Sequence, residues 1–258
     1  MIDMHAHIIW GVDDGPKTFE ETQQLIRLAE KEGIEQIVAT SHALHPSYHA
    51  DIEEVKEKLQ LLTEWIKSEN IQMQVYLGHE IRVTENIMVE IKSQQVATLN
   101  NTNYVLIEFP SATVPLFAKE IVKQLVNQGY FPIIAHPERN KLLANQPAKL
   151  KELIDLGAYA QVTAGTIAGA FGKDVQKIAL RMIDEGLIHC YGSDVHNDST
   201  RDFKFDDGLS YLENKNRQEF VEYLLENNER LLENKVLLKI EKKETVLNRL
   251  FGFKSKKL

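Results

Sequence analysis

The sequence predicts an α/β fold, a distorted (β/α)7 barrel of seven parallel strands with helices between them. Short apolar runs rich in β-branched residues alternate with amphipathic segments of helical period from residue 1 to about residue 195, which is typical of repeated βα units. Seven units are one fewer than in the usual eight-stranded TIM barrel. We therefore expect a TIM-like barrel that is distorted or incompletely closed.

Each element has a local signal in the sequence. Helices are indicated by the capping box that Thr18 and Glu21 form, and by glycines at 33, 129, 157 and 186 where helical periods stop. The seven predicted strands cover residues 1–7, 36–42, 73–79, 104–109, 132–136, 159–163 and 188–193.

The bulk composition is that of a globular protein. Of the 258 residues 43% are hydrophobic and 26% are charged. The net charge of −8 disfavours a broad nucleic-acid surface, which needs clustered Lys and Arg. Cys190 is the single cysteine, which excludes an intrachain disulfide. Because the chain starts without a basic, apolar leader and has no apolar run of about 18 residues, we expect a cytoplasmic protein.

The sequence divides into one domain and a short tail. No linker rich in Gly, Ser or Pro interrupts residues 1–238, so we expect a single domain there. Residues 239–258 mix Lys and Arg with apolar side chains such as Leu250 and Phe251. This tail could dock weakly on an anionic membrane surface, or it could be a packed last helix or a frayed end.

Candidate metal ligands lie at or just beyond the ends of the predicted strands. His5 and His7 are two residues apart on one strand and therefore share a face. A lone polar residue at a strand end is usually a cap or a turn. Buried carboxylates, however, need a paired charge or a metal, and few cations lie near these positions. The predicted ligands are His5, His7, Asp14, His42, Glu80, Glu108, His136, Asp194 and His196.

Asp14 has a competing interpretation, because Asp13 precedes it and DDGP could simply be a turn. The remaining histidines are predicted to have other roles. His79 and His189 are expected to be structural. His45 and His49 lie in a loop near the rim that the C-terminal ends of the strands form, where they could contact substrate or simply be solvated. Cys190 is not expected to be a nucleophile, because cysteine-dependent phosphatases need an arginine six residues later and His196 is found there.

Two arginines are predicted to bind phosphate beside the metals. Arg139 follows His136 by three residues and Arg201 follows His196 by five. Both loops overhang the same rim, and a guanidinium fork matches the oxygens of a phosphate group. Surface arginines that serve solubility are the alternative.

The motif set resembles the PHP (polymerase and histidinol phosphatase) superfamily. Within it, the chain is most similar to the manganese-dependent tyrosine-protein phosphatases that Gram-positive bacteria encode with capsule or exopolysaccharide tyrosine kinases. The resemblance implies the PHP fold, a trinuclear cluster with bridging carboxylates, and phosphotyrosine on the kinase and other proteins as substrate. The matching motifs are HAH at 5–7, DDGP at 13–16, TSH at 40–42, GHEI at 78–81, IEF at 107–109, AHPER at 135–139 and SDVH at 193–196.

The donor chemistry predicts how such a site works. Histidines and carboxylates without a thiolate suit manganese, iron or zinc. Three divalent ions against four carboxylates would leave a charge of about +2, which matches a phosphomonoester dianion. We hypothesise that a metal-bound water attacks phosphorus while Arg139 and Arg201 stabilise the developing charge.

Three other functions stay open at this point. A small-molecule phosphatase, such as histidinol-phosphate phosphatase, would use the same ligands. A PHP-type nuclease is disfavoured by the acidic net charge, and a non-catalytic phosphoprotein-binding regulator is disfavoured by the complete ligand set.

Overall fold

The structure, a computed structural model, describes residues 1–48 and 50–240 and confirms the predicted fold class. Seven parallel strands form one sheet in sequence order. The predicted bounds agree to within three residues. The largest difference is at the end of the third strand, which continues to Arg82 because its last residues pair with the fourth. The strands are β1 (Ile2–Ala6), β2 (Gln36–Ala43), β3 (Gln74–Arg82), β4 (Tyr104–Glu108), β5 (Phe131–Ile134), β6 (Tyr159–Thr163) and β7 (Cys190–Gly192).

Helices follow the strands and cover the outside of the barrel. One half of the predicted capping box is present, since Thr18 Oγ1 accepts a hydrogen bond from the Glu21 amide. The Glu21 carboxylate accepts from the Lys17 amide rather than from that of Thr18. Gly33 follows that helix with φ of 74°, a conformation that glycine adopts without strain. The helices are α1 (Phe19–Lys31), α2 (Ile52–Ser68), α3 (Ile87–Lys92), α4 (Ala118–Asn127), α5 (Lys141–Asn145), α6 (Pro147–Asp155), α7 (Ala164–Ala168), α8 (Lys173–Asp184), α9 (Phe205–Glu213) and α10 (Gln218–Leu232).

The seam between β1 and β7 is closed by few backbone hydrogen bonds. Ala6 forms an isolated parallel bridge with Val195, and the His7 amide donates to the Val195 carbonyl at 2.9 Å. From outside, the side chain of Asn228 on α10 donates to backbone carbonyls of both strands and accepts from an amide of β7. The barrel is therefore nearly closed and distorted, as the strand count predicts.

A β-bulge in β1 changes which face its side chains occupy. Asp3 pairs with Ile37 and Ala6 pairs with Ala39, so β1 has one more residue than β2 across this interval. The buried apolar side chains form two clusters, a larger one that includes the helices and a smaller one. Met4 belongs to the smaller apolar cluster, with Val38 and Leu106, whereas Ala6 belongs to the larger one. Bulges of this kind often lie next to functional sites, where they redirect side chains.

Side chains that share the Val38 face of the strands become polar toward the C-terminal ends. Along β2 this face passes from Val38 through Thr40 to His42, and along β4 it passes from Leu106 to Glu108, as expected from strand alternation. The apolar layer closes the lower barrel. The polar layer above it places the candidate ligands on one rim.

No helix among the described residues is long and apolar enough to cross a membrane. Most of the predicted tail, residues 241–258, lies outside the described residues, and so does His49.

Candidate metal centre and phosphate site

All nine predicted ligands lie at the C-terminal rim of the barrel. Eight of them are members of three groups, and within each group the donor atoms lie within 4.8 Å of one another. The nine positions come from six strands and the segments after them, which explains how residues at both ends of the sequence meet. His5 and Glu80 lie within β1 and β3, His42 and Glu108 at or near the ends of β2 and β4, and His7, Asp14, His136, Asp194 and His196 in the segments that follow strands.

The first group contains His5, His7, Glu80 and Asp194. The two imidazole Nε2 atoms lie 3.3 Å apart, and each is 3.3–3.5 Å from Glu80 Oε2 and Asp194 Oδ1. A tetrahedral ion with bonds of about 2.1 Å separates its ligand atoms by about 3.4 Å. Five of the six separations among these four atoms therefore match the ligand spacing of a tetrahedral metal site.

The second group contains His7, Asp14, His42 and His196, and the third contains His42, Glu80 and Glu108. Asp14 Oδ1 lies 3.1 Å from His196 Nε2, and His42 Nδ1 lies 3.1 Å from Glu80 Oε2. Neighbouring groups thus share a residue. Of the shared residues, Glu80 has two oxygens and can bridge two ions, whereas a neutral imidazole has one free lone pair.

His136 is not a member of these three groups. Its Nε2 lies 2.7 Å from Glu80 Oε1, on the oxygen that does not face the other histidines. Its backbone is left-handed, with φ of 32°, and Asp194 is also left-handed, with φ of 55°. Such conformations are uncommon outside glycine and concentrate at functional sites. The ligand role of His136 stays a prediction, as do the roles of the other eight.

The donor set fits divalent cations. Polar atoms inside proteins are ordinarily hydrogen-bonded, but several atoms at the centre of this site are exceptions. With no thiolate among them, these donors suit manganese, iron or zinc. Within the described part of the chain, the following buried atoms have no hydrogen-bond partner: Asp14 Oδ1, His42 Nδ1, Glu80 Oε2, Asp194 Oδ1 and His196 Nε2.

Further contacts orient the histidines toward the centre. His5 Nδ1 lies 3.1 Å from Gln161 Oε1, and His196 Nδ1 lies 2.9 Å from the Asp194 carbonyl. When Nδ1 donates to these acceptors, Nε2 is left with its lone pair free for a metal. Gln161 was not predicted, although a polar residue within the apolar run of β6 was a signal that could have identified it.

Asp13 and Asp14 have different surroundings, and this supports the choice of Asp14 as the candidate ligand. Asp13 is buried, and its Oδ2 lies 2.8 Å from His7 Nδ1 and accepts from the His42 amide at 3.0 Å. Its Oδ1 accepts from the Gly15 amide at 2.9 Å. Asp13 therefore orients His7, while Asp14 faces the second group.

Electrostatics divides the histidines into two kinds. Burial lowers the pKa of His7, but the Asp13 and Glu80 carboxylates outweigh burial and raise it well above its usual value. In contrast, burial and the neighbouring His7 lower the pKa of His42 to about 3, and burial and Arg139 lower that of His136 to about 4. His7 therefore holds a proton more tightly than a free imidazole does, whereas His42 and His136 hold one less tightly.

Glu108 also holds a proton more tightly than usual. Burial, reinforced by the charge of Glu80, raises its pKa to about 8, although the Arg82 guanidinium opposes this rise. The Arg82 guanidinium lies 2.9 Å from Glu108 Oε2. Arg82 was missed from the sequence, although it follows Glu80 by two residues and strand alternation places both on one face.

The expectation that few cations lie near the carboxylates was wrong. Besides Arg82, both predicted phosphate-binding arginines contact acidic ligand candidates. Arg139 donates to Asp194 Oδ2, and Arg201 lies 3.0 Å from the same oxygen and 3.4 Å from Asp14 Oδ2. The Nε atoms of Arg139 and Arg201 are buried and have no hydrogen-bond partner among the residues described. Each guanidinium therefore still has a donor that the neighbouring acids do not satisfy.

A cavity of about 420 Å³ opens above the three groups. Arg139 and Arg201 line it, as do His45 and several candidate ligands. Three aromatic residues that sequence reasoning missed also line it: Tyr48, Phe109 and Phe171. Tyr48 and Phe171 lie in segments between regular elements, where no periodic pattern marked them.

The residues predicted to be structural have structural contacts. His79 is buried and its Nδ1 accepts from the Ala97 amide, while His189 accepts from the Ala160 amide. Cys190 is fully buried in the smaller apolar cluster, and burial raises the pKa of its thiol. The thiol therefore cannot reach the cavity as a nucleophile.

Comparison with known proteins places the chain in a family. The family model described as "Capsular polysaccharide synthesis, CpsB/CapC" matches residues 1–233. The chain belongs to the CpsB/CapC family. This membership confirms the resemblance that the motifs carry.

The relatives are similar over nearly the whole chain. CapC of Staphylococcus aureus is 39% identical over 239 residues, which are 93% of this chain and 94% of CapC. The tyrosine-protein phosphatase YwqE of Bacillus subtilis (strain 168) is 36% identical over 253 residues, 98% of this chain and all of YwqE. The tyrosine-protein phosphatase CpsB of Streptococcus pneumoniae is 32% identical over 206 residues, 78% of this chain and 85% of CpsB.

A solved structure has the same fold as this CpsB/CapC member. It comes from the crystal structures of YwqE from Bacillus subtilis and CpsB from Streptococcus pneumoniae, which are described as metal-dependent tyrosine phosphatases. The TM-score is 0.90 at 37% identity, covering 93% of this chain and 97% of the solved one. An organophosphorus hydrolase of Deinococcus radiodurans has a TM-score of 0.54 at 12% identity over 90% of this chain and 91% of its own, a likeness of fold alone.

Proposed function

We propose that this protein is a manganese-dependent protein-tyrosine phosphatase of capsule or exopolysaccharide synthesis. Its substrates would be phosphotyrosine residues on a cognate bacterial tyrosine kinase and on other proteins. The observation that carries the proposal is the convergence of buried, unpartnered donor atoms beneath a cavity with two arginines. The names of the CpsB/CapC relatives support tyrosine phosphatase chemistry.

The nine candidate ligands would hold three divalent ions. His5, His7, Glu80 and Asp194 would hold one ion, and Glu80 would also serve the neighbouring group with His42 and Glu108. Such ions, when bound, would lower the pKa of a coordinated water toward neutrality and neutralise the phosphoryl oxygens. Manganese is our preferred metal because the resemblance of the motifs implies it, and the histidine and carboxylate donor set suits manganese as it suits iron or zinc. The set lacks the thiolates typical of closed structural zinc sites.

The arginines would bind the phosphate group from the cavity side. Arg139 and Arg201 are held beside Asp194 by ion pairs, so their guanidinium groups are oriented before substrate arrives. An arginine fork aimed at phosphoryl oxygens stabilises charge that develops during transfer. A tyrosine leaving group has a pKa near 10, about that of free tyrosine, and needs less help from a general acid than an alkyl alcohol does.

Substrate profiling tests this proposal against its rivals. Manganese-loaded protein would be incubated with matched phosphotyrosine and phosphoserine peptides, histidinol phosphate and single-stranded DNA, each with and without a chelator. We expect chelator-sensitive phosphate release chiefly from phosphotyrosine. Glu108→Gln should abolish it, whereas Glu64→Gln, which removes an exposed acid on α2, should not. Turnover only of histidinol phosphate or DNA would transfer the assignment to another branch of the superfamily.

We further infer that residues 1–238 form the catalytic unit and that residues 239–258 are separable from it. The family match to residues 1–233 supports this division. Deleting residues 239–258 should leave turnover of a phosphotyrosine peptide unchanged. If the tail contacts membranes, the deletion should also reduce sedimentation with anionic vesicles. Equal sedimentation of both forms would exclude that contact.

A further inference from the structure

The cavity above the candidate metal centre has aromatic walls that phosphoryl transfer itself does not require. Carboxylates, histidines and arginines supply the metal and phosphate chemistry of the proposed reaction. Tyr48 and Phe171 supply neither a ligand nor a cation, yet both line the same cavity. These two residues are therefore placed to contact the group to which the phosphate is attached.

Tyr48 is held over the rim by other rings. It stacks on His42 with ring centroids 5.5 Å apart and an interplanar angle of 5°, and on His45 at 4.8 Å and 22°. The tight turn that brings it there is closed by an antiparallel bridge between His45 and Tyr48. The ring of Tyr48 is thus fixed near a candidate metal ligand while it remains partly exposed to the cavity.

Phe171 is fixed by its own contacts on a different segment. Its ring lies so close to the backbone of α7 that a Cβ added to Gly165 would come within 3.2 Å of Phe171 Cε2. The Arg139 guanidinium lies over the same ring, 5.1 Å from its centroid, a typical cation–π distance. Phe171 therefore stands directly beside a guanidinium that is predicted to hold the phosphate.

The two rings belong to opposite sides of the barrel. Tyr48 follows β2, and Phe171 lies after β6, between α7 and α8. In a ring of seven strands arranged in sequence order, three strands separate β2 from β6 on one side and two on the other. A group that extends outward from a phosphate bound at the centre would pass between these walls.

We propose that Phe171 and Tyr48 are specificity-determining residues that receive the phenyl ring of phosphotyrosine. This inference rests on the proposed function and extends it to the selection of tyrosine over serine. A phenyl ring places a flat apolar group between phosphorus and the peptide backbone, where it can stack on aromatic walls. Phosphoserine has only a methylene there, so it gains no such contact.

The test compares leucine variants, which retain an apolar side chain but lose the ring. In manganese-loaded protein, Phe171→Leu and Tyr48→Leu should each raise KM for a phosphotyrosine peptide by about two- to tenfold, the range measured for aromatic pairs. The kcat should stay nearly constant, since contacts remote from phosphorus contribute equally in the ground and transition states. KM for the matched phosphoserine peptide should not rise.

Two further variants and a binding measurement complete the design. Phe171→Tyr retains a ring and should have a KM for the phosphotyrosine peptide close to that of the wild-type protein. Phe131→Leu makes the same change at the other end of the barrel and should leave this KM unchanged. Calorimetric binding of a peptide with a non-hydrolysable phosphonate analogue of phosphotyrosine should weaken in the leucine variants as KM does. Inhibition by inorganic phosphate should be unaffected.

The outcomes separate this inference from the proposed function. If the wild-type protein prefers phosphotyrosine and the leucine variants keep that preference, the inference is overturned and the phosphatase assignment stands. If inorganic phosphate binding weakens in Phe171→Leu as much as KM rises, the ring acts only by holding Arg139, which also overturns the inference. If the wild-type protein does not hydrolyse phosphotyrosine peptides, the proposed function itself fails.

Discussion

Replacing Asp13 by asparagine tests whether this residue orients a metal ligand. The carboxylate serves three partners at once, because Oδ2 faces His7 Nδ1 at 2.8 Å and the His42 amide, while Oδ1 accepts from the Gly15 amide. An asparagine has a single acceptor oxygen. In either orientation of its amide, an NH2 group therefore faces a backbone amide that needs an acceptor.

Two effects of Asp13→Asn follow from this geometry. Loss of a charge-assisted hydrogen bond within a buried site destabilises the folded protein by about 1.5–3 kcal/mol. Loss of the partner that fixes the His7 ring weakens metal binding by about 10–100-fold, the usual effect of removing such an orienting group. The second effect requires His7 to be a ligand, so it tests the candidate site as well as the role of Asp13.

The assays are a calorimetric manganese titration and a denaturant unfolding series on metal-free protein. Asp198→Asn is the matched control, because it removes the same charge from an exposed position on the same rim. Asp13→Asn should show both losses, and the control should show neither. If Asp13→Asn binds manganese as tightly as the wild-type protein does, then His7 does not depend on Asp13 for its orientation, and the reasoning is refuted.

Three further predictions concern protons and the barrel seam. Manganese loading at neutral pH should release more than one proton, because the pKa values of His5 and His7 are raised and that of Glu108 is about 8. Calorimetry in buffers of different ionisation enthalpy would measure the number of protons released. Binding heats that do not depend on the buffer would contradict the prediction. Asn228→Ala should destabilise the protein by about 2–4 kcal/mol in denaturant unfolding, because it leaves buried backbone groups of β1 and β7 without their partners. Burial raises the pKa of Asp3 to about 6, above its usual value, so its contribution to stability is present at low pH and is lost as pH rises through about 6. Relative to Asp3→Asn, metal-free wild-type protein should therefore lose about 2 kcal/mol between about pH 4 and pH 7, and a constant difference between the two proteins would contradict this.

The fold and the location of the site could be predicted because both depend on regular patterns. The alternation of apolar runs with amphipathic helical segments, and the glycines that end helices, indicated seven βα units. Parallel strands bring their C-terminal ends to one rim, independently of the conformation of the loops. This is why Glu80 and Asp194, far apart in sequence, could be predicted to meet. They do so within the first group.

The contacts around the ligands could not be predicted in the same way. The bulge in β1 interrupts alternation after Asp3, and nothing in the sequence marks which residue is inserted. Arg82 was missed because the predicted third strand ended too early, at residue 79. Tyr48 and Phe171 depend on loop conformations, which have no periodicity to detect.

The carboxylates of the site divide their two oxygens between different partners. Asp194 directs Oδ1 to His5 and His7 and Oδ2 to the arginines, and Asp14 directs Oδ1 to His42 and His196 and Oδ2 to Arg201. On the proposed function, a phosphate held by the arginines would lie next to ions held by the same acids, because each of these carboxylates contacts both histidines and an arginine. The same pairing supplies positive charge to the buried acids when no ion is bound, since removing one partner of a buried ion pair costs about 3–5 kcal/mol. The arginines therefore pair with the buried acids of the site, and on the proposed function they would also face the substrate.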